Sequence, residues 1–154
     1  MIPRGATIFF VVGVFGAGAL GIYLSQIANQ APTLIYENGP SLSIIPEKIN
    51  YHLAEPVHIR IINSGTVPLT FSDSSYGLRI IGLDGTVIFS PISAQVVSIL
   101  NPKDEKTFVW DQTKTDGSKI FQGRYKIVSS TAPFAGNMFQ KSVTINIFKA
   151  NQLT

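Results

Sequence analysis

Hydrophobic residues follow two different patterns along this chain. From Ala6 to Leu24 the sequence reads ATIFFVVGVFGAGALGIYL, which is nineteen residues without a charge. About 20 predominantly apolar residues form a helix long enough to cross the roughly 30 Å hydrocarbon core of a bilayer. The pattern therefore predicts a membrane anchor helix within residues 1–29, followed by a connector over residues 30–40.

Beyond the connector, apolar and polar residues alternate with a period of two, and turn residues separate the runs. The alternation is clearest in Val57–Ile62 and Lys141–Phe148, and it is typical of strands that bury one face. The remaining predicted strands are Ser41–Ile45, Val67–Phe71, Leu78–Leu83, Thr86–Phe89, Gln95–Leu100, Thr107–Trp110 and Arg124–Ser129. Their regular spacing predicts that residues 41–150 form an all-β antiparallel sandwich.

One turn is predicted in more detail. Asp84-Gly85 separates two β-rich runs, and such a dipeptide is typical of a two-residue hairpin loop. A type I′ turn needs a positive φ at both central residues, which Asp and Gly tolerate. We therefore expect a type I′ turn here.

Several blocks between residues 57 and 130 resemble a known family, the intracellular proteinase inhibitors of BsuPI type. The blocks are Ile61–Gly65, Leu69–Ser72, Leu78–Ile80, Asp84–Ile88, Phe108–Gln112, Asp116-Gly117 and Gly123–Tyr125. The last blocks also resemble the Ig-like repeat of flagellar hook-capping proteins. The resemblance implies an Ig-like β-sandwich, and the family name implies inhibition, but no reactive residue transfers to this chain.

The block that begins at Trp110 predicts structural roles. Trp110 is large enough to fill the gap between two sheets. Asp111 can accept backbone N–H groups as the chain turns, and Gly117 supplies a positive φ. We expect Gly123 to let the chain enter the next strand, and Tyr125 to be buried with its hydroxyl bonded to a partner.

Charges next to the apolar segment predict its orientation. Arg4 precedes the segment and the next basic residue is Lys48, so the positive-inside rule places the N-terminus in the cytoplasm and the sandwich outside. A cleaved signal peptide is the first alternative, but the apolar core exceeds the usual 7–15 residues and a small-residue cleavage pattern is poor. A pilin-like leader processed at Arg4-Gly5 is the second. We favour a retained single-pass anchor in the cell membrane.

Small residues recur along the predicted helix. Gly13, Ala17 and Gly21 are four positions apart, which places them on one face. Such a stripe lets another helix approach closely in the bilayer. We therefore expect this helix to contact both lipid and other membrane protein subunits.

Composition excludes several functions. The 154 residues include no cysteine, which excludes disulfides, thiolate metal sites and a cysteine nucleophile. One charge falls in the first 36 residues, leaving 11 basic and 9 acidic residues beyond them. This near balance argues against nucleic-acid binding.

No motif predicts a catalytic, cofactor-binding or metal-binding residue. His52 and His58 are six residues apart, which could place both on one face, but two histidines make a weak metal site. Asp111–Gly117 lacks the alternating acids and closing glutamate of a calcium loop. Nucleophile-elbow and phosphate-loop patterns are absent from the sequence. We expect neither enzyme activity nor a cofactor.

Two uncharged runs remain outside the predicted helix, at residues 89–100 and 131–140. The second contains Phe134, Met138 and Phe139. Apolar loops at the end of a sandwich are candidate contact surfaces, although they can also close the core. We predict that these three residues touch a partner subunit or the outer membrane interface.

Together these patterns predict a non-catalytic accessory or structural subunit of a membrane protein complex, with an extracytoplasmic Ig-like domain. The general character of the sequence resembles archaeal proteins, which suggests an archaeal respiratory or monooxygenase-type complex as a host. A membrane-tethered proteinase inhibitor or ligand-binding module is one alternative. A pilin-like filament subunit is another.

Overall fold

The computed structural model describes residues 22–24, 30–133 and 137–150. The chain divides into two compact units, Met1–Gln30 and Ala31–Thr154. Residues 22–24 of the first unit are helical. Among the described residues, no helix has the length and apolar character needed to span a membrane. Apart from residues 22–24, the predicted span lies outside the described ranges, and so do Gly13, Ala17 and Gly21.

The described part of the second unit is all-β. Its ten strands are β1 (Leu42–Pro46), β2 (Asn50–His52), β3 (Val57–Asn63), β4 (Leu69–Phe71), β5 (Arg79–Gly82), β6 (Val87–Phe89), β7 (Ser98–Leu100), β8 (Glu105–Trp110), β9 (Gly123–Ser130) and β10 (Gln140–Phe148). They form a three-stranded sheet in the order β1-β3-β8, a five-stranded sheet in the order β2-β10-β9-β5-β6, and a two-stranded ribbon of β4 and β7. The architecture is sandwich-like and consistent with an Ig-like fold.

Alternation in the sequence explains which side of each strand is buried. Val57, Ile59 and Ile61 of β3 belong to one apolar core, whereas His58 and Arg60 between them are exposed. Strand β10 follows the same rule with Ile145 and Ile147, and β9 contributes Ile127. Branched aliphatic side chains fit such half-buried pleated surfaces well, so these runs form strands.

Nine of the ten strands coincide with predicted runs, and β2 is the exception. Only Tyr51 of its three residues is buried, so the sequence shows no apolar–polar alternation that would predict a strand here. Strand β2 pairs with β10 in parallel, and Asn146 Nδ2 donates to Asn50 Oδ1 at 2.7 Å. The prediction of a purely antiparallel sandwich is therefore wrong at this edge.

The hairpin between β5 and β6 is where predicted, but its turn differs. Gly85 N–H donates to the Gly82 carbonyl at 3.1 Å, and Gly82 N–H donates to the Thr86 carbonyl at 2.8 Å. Gly85 has φ +87°, and Asp84 is not among the residues with positive φ. This is a three-residue loop with a type I turn and a glycine bulge, not a type I′ turn. Asp84 favours it because its carboxylate accepts the Thr86 N–H at 3.0 Å.

Trp110 lies in the core, with its ring centroid 6.3 Å from that of Phe89 and 6.0 Å from that of Tyr125. The indole Nε1–H donates to the Thr113 carbonyl at 2.7 Å. Half-buried Tyr125 donates its hydroxyl to the Phe121 carbonyl at 2.8 Å, and burial raises the pKa of this phenol. A tyrosine near the start of a strand that bonds back to upstream backbone is the tyrosine corner of Ig-like sandwiches.

The turn residues of this block close the connection from β8 to β9. Asp111 accepts the Thr113 N–H at 3.0 Å, and this pairing with Thr113, foremost through its hydroxyl, lowers the pKa of the Asp111 carboxyl. Gly117 has φ +82°, which a residue with a side chain adopts at a cost. Gly123 is the first residue of β9.

Candidate functional site

The two uncharged runs lie on either side of β4. Ile99 of β7 pairs with Thr70 of β4, and the Thr70 carbonyl accepts the Ala132 N–H at 2.8 Å on the opposite edge. Farther along the first run, Ala94 N–H donates to the Ser74 hydroxyl at 3.0 Å. The fold therefore brings together two segments that are far apart in sequence.

Large apolar side chains project from these segments into solvent. Ile92 is fully exposed, Val97 is 72% exposed and Met138 is 56% exposed. Ile99 is also mostly exposed, because it shares the outward side of the ribbon with Thr70. We call Ile92, Val96, Val97, Ile99 and Met138 the apolar surface. Exposed apolar side chains mark interaction sites in soluble domains where they form one patch.

A cleft adjoins the apolar surface at the base of the second run. Its volume is about 660 Å³, and it is lined by Pro40, Val67, Pro68, Leu69, Thr70, Thr131, Ala132, Asn137 and Phe139. Phe139 is half-buried there, and its N–H donates to Thr131 Oγ1 at 3.0 Å. Of the three predicted contact residues, Met138 is thus exposed and Phe139 lines a cleft, whereas Phe134 lies outside the described residues.

The outer face of the three-stranded sheet is covered in part, around Ile45 and Ile62, whereas His58, Arg60 and Val109 on the same side are exposed. Ile45 and Ile62 point away from the central core, yet both are buried. Ala31 lines a cleft together with Ile45, and Pro32 and Thr33 line another beside β1. We call this surface, made of the outward residues of β1, β3 and β8, the covered face.

Hydrogen bonds hold residues 31–40 beside the covered face. Glu37 N–H donates to the Ser64 carbonyl at 2.8 Å, and Thr66 N–H donates to the Gly39 carbonyl at 2.9 Å. The buried hydroxyls of Ser41 and Ser64 lie 2.9 Å apart, and Ser41 also donates to the Glu37 carboxylate at 3.2 Å. The predicted connector is therefore a structural part of the sandwich.

The outer face of the five-stranded sheet is exposed or half-buried except at Val128 of β9, which is 3% exposed. Strand register puts Arg124 and Lys126 of β9 and Arg79 of β5 on this side, among Ser, Thr and Asn side chains of β10. We call this surface, made of the outward residues of β2, β10, β9, β5 and β6, the open face.

The residues considered for metal binding do not converge. His52 ends β2 of the five-stranded sheet, whereas His58 lies in β3 of the three-stranded sheet, so the two exposed histidines do not share a face. Asp116 accepts the Ser118 N–H at 2.8 Å, which closes a turn of the loop considered for calcium. Within the described ranges, no three His, Cys, Asp or Glu residues are grouped so that they could hold a metal ion.

Gln112 is a buried residue that sequence reasoning missed. Its side-chain nitrogen donates to the carbonyls of His52 and Glu55, both at 2.8 Å, and its oxygen accepts the Ala54 N–H at 3.0 Å. The amide thus bonds three backbone groups of the turn between β2 and β3 and ties this turn to the end of β8. Glutamine is usually exposed, so nothing in the local sequence indicated this role.

Comparison with solved structures finds a weak structural likeness. The crystal structure of the CARDB domain of the PF1109 protein from Pyrococcus furiosus, in complex with di-metal ions, is 18% identical. The match covers 76% of this chain and 95% of that domain, with a TM-score of 0.39. A likeness of this size carries no argument about function. No family model matches the chain. No curated protein matches it either.

Proposed function

We propose that this protein is a non-catalytic, single-pass membrane protein that serves as an accessory subunit of a membrane complex and contributes an extracytoplasmic Ig-like domain. The observation that carries the proposal is the apolar surface. Its side chains come from two uncharged runs that the fold brings to either side of β4. Removing large exposed apolar side chains from water is favourable, and a subunit does this when it buries them against its neighbour.

The N-terminal sequence supports the same function. Its uncharged run has the length of a membrane span, and the small residues at every fourth position favour packing against another helix. An anchored subunit would then contact its complex twice, through the helix and through the domain. An archaeal respiratory or monooxygenase-type complex is one host that fits such a subunit.

Purification of the full chain in a mild detergent tests this proposal. We expect other membrane proteins to co-elute with the wild type, and we expect the double variant Ile92→Ser with Val97→Ser to lose or weaken that association. The matched control is Leu83→Ser with Val109→Ser, which removes two exposed apolar side chains elsewhere on the domain. A wild-type chain that elutes as a lone monomer would overturn the proposal.

The cleft beside the apolar surface favours a second candidate, a tethered binding module for a small apolar ligand. Its volume of about 660 Å³ lies within the range of small-molecule sites, and Pro40, Pro68 and Leu69 among its lining residues are apolar. A substitution such as Val67→Trp, at a lining residue that is 39% exposed, would fill the cleft. Extraction of the purified full chain with organic solvent should release a ligand from the wild type and less of it from that variant.

A further inference from the structure

Charge is distributed unevenly between the two sheets. The five strands of the larger sheet, all within the described ranges, contain Arg79, Arg124, Lys126 and Lys141 and not a single Asp or Glu. The chain as a whole has nine acidic residues, so this separation is not a consequence of a strongly basic composition. A sheet face with one sign of charge attracts a partner of the opposite sign.

Strand register places three of these cations on the open face. Arg124 and Lys126 are two residues apart in β9, so their side chains leave the sheet on the same side, about 7 Å apart. Ile81 of β5 pairs with Lys126, and Arg79 is two residues from Ile81, so Arg79 is a diagonal neighbour of Lys126. Lys141 has the opposite parity and lies beside β1 instead.

No carboxylate neutralises this group directly in the described structure. The two ion pairs found there, Lys48–Glu55 and Arg60–Glu105, lie outside the open face. Asp73 lines a 300 Å³ cleft together with Arg79, but its carboxylate accepts the Ser75 N–H at 2.8 Å. The Arg79 guanidinium donates to Ser130 Oγ at 2.9 Å, which fixes its position and leaves further N–H groups for a ligand.

The margins of the open face are apolar. Val87 of β6 is 52% exposed at one edge, and Phe148 at the end of β10, next to the edge strand β2, is 50% exposed. Between them lie the three cations, the hydroxyl and amide side chains of β10, and the aliphatic side chains of Ile81 and Val128. Aromatic residues and arginine are enriched in protein interfaces, and this flat mixture differs from the protruding apolar helix faces that enter lipid.

From this arrangement we infer that the open face is a docking surface for an acidic segment of a partner protein. An extended segment with carboxylates at every second residue matches the spacing of Arg124 and Lys126, because side chains i and i+2 of a strand leave on the same side. The inference rests on the proposed accessory function and names one surface and one partner chemistry for it.

Binding of a short fluorescent peptide that alternates glutamate and threonine tests the inference on the full chain in neutral detergent. We expect saturable binding that weakens as salt is raised to about 0.15 M. The double variant Arg124→Gln with Lys126→Gln should bind about tenfold more weakly, since it removes two charge pairs. The charge-conserving variant Arg124→Lys with Lys126→Arg should keep most of the binding, which excludes misfolding as the cause.

Two controls make the result specific. Lys114→Gln with Lys119→Gln removes the same net charge from loops outside the open face and should leave binding unchanged. A peptide that alternates glutamine and threonine should not bind. Equal weakening by both glutamine double variants would overturn the inference, and so would an absence of glutamate-peptide binding to the wild type.

Two further outcomes separate this inference from its alternatives. If the open face binds vesicles that contain phosphatidylglycerol but does not bind the peptide, the inference of a protein partner is overturned in favour of a lipid surface. If the complex co-elutes unchanged with Arg124→Gln and Lys126→Gln, the inference fails while the proposed function stands. A wild-type chain that elutes alone yet binds the glutamate peptide would overturn the proposed function and leave the surface's chemistry supported.

Discussion

The two outer faces of the sandwich differ in which side chains they bury and which charges they leave unpaired. On the covered face, residues 31–40 lie beside β1 and β3, Ile45 and Ile62 are buried, and Arg60 pairs with Glu105 at 3.1 Å. On the open face, three cations stand without a paired acid and two apolar side chains are exposed at the margins. The first face buries two outward aliphatic side chains and pairs its arginine with a carboxylate, whereas the second buries only Val128 and presents cations that a second molecule can pair.

This difference bears on how each face contributes to the protein. Residues of the covered face stabilise the fold, because removing them would leave a cavity or unpaired buried groups. The cations of the open face contribute little to stability and remain available for binding. Substitutions on the two faces should therefore separate effects on unfolding from effects on association.

The largest expected effect comes from the covered face. Ile62→Ala removes a side chain that is 1% exposed, and we expect a loss of about 2–5 kcal/mol in the free energy of unfolding. Ile81→Ala removes the same atoms from a half-buried position on the open face and should cost clearly less. Urea denaturation of the full chain measures both, and equal losses would contradict the distinction between the faces.

A smaller loss of stability is expected from a substitution at Gly65, where the sandwich contacts the connector. A methyl group on Gly65 would overlap the Gly39 carbonyl oxygen and lie 2.6 Å from the Ser41 nitrogen, so Gly65→Ala must displace the connector. We expect a loss of about 1–3 kcal/mol, typical of overpacking. Hydrogen exchange should become faster at the Glu37 and Thr66 amides.

The control for this prediction is Gly82→Ala in β5. A methyl group there would approach the flexible Asp84 side chain and not the connector. Exchange at Glu37 and Thr66 should therefore be the same as in the wild type. Unchanged exchange in Gly65→Ala would show that residues 31–40 do not depend on this contact.

Surface charge should give effects below about 1 kcal/mol on either face, with opposite signs. Arg60→Gln breaks an exposed ion pair and should destabilise slightly. Lys126→Gln relieves repulsion with Arg124 and should be neutral or slightly stabilising. Thermal unfolding at low and high salt measures both, and the difference between the two variants should shrink as salt screens the charges. A clear destabilisation by Lys126→Gln would mean that the open face contains a pairing important to the fold.

The smallest expected effect is on the stability of the protein at acidic pH. A hydrogen bond from Lys48, with a second from the His52 amide, lowers the pKa of the Glu55 carboxyl. Glu55 therefore adds stability above its ordinary pKa of about 4.3 and loses it as pH falls through the lowered value. Lys48→Met should raise the pKa of Glu55 and flatten this acid dependence, as measured by NMR titration and by unfolding at several pH values. Lys126→Met on the open face should leave the Glu55 titration unchanged, and a shift there would contradict the separation of the faces.

Periodicity predicted most of the strands because each buries one side. In runs such as Val57–Ile62 and Lys141–Phe148, the apolar residues of the sequence are the ones whose side chains face the core. Strand β2 has three residues and one buried side chain. It forms because it pairs in parallel with β10. The turn after β5 could be placed from Asp84-Gly85, but its type depended on how many residues the two strands leave unpaired.

The candidate site was predictable only in pieces. Absence of charge pointed to residues 89–100 and 131–140, since uncharged exposed loops are unusual. Their position on either side of β4 could not be read from the sequence, because no local pattern specifies which backbone groups β4 bonds. The small residues at positions 13, 17 and 21 remain a prediction about the anchor.

The sequence by itself determined the strands, the location of the uncharged runs and the segment with the character of a membrane span, because these depend on the order of side chains within one segment. Only the tertiary structure decided that the connector covers one sheet, that Gln112 completes a distant turn, and that Arg79, Arg124 and Lys126 share a face. Along the chain Arg124 and Lys126 belong to a C-terminal stretch that has no acidic residue after Asp116. Strand pairing brings Arg79, which lies far from them in sequence, to the same side of the sheet beside Lys126, and no local pattern specifies that pairing.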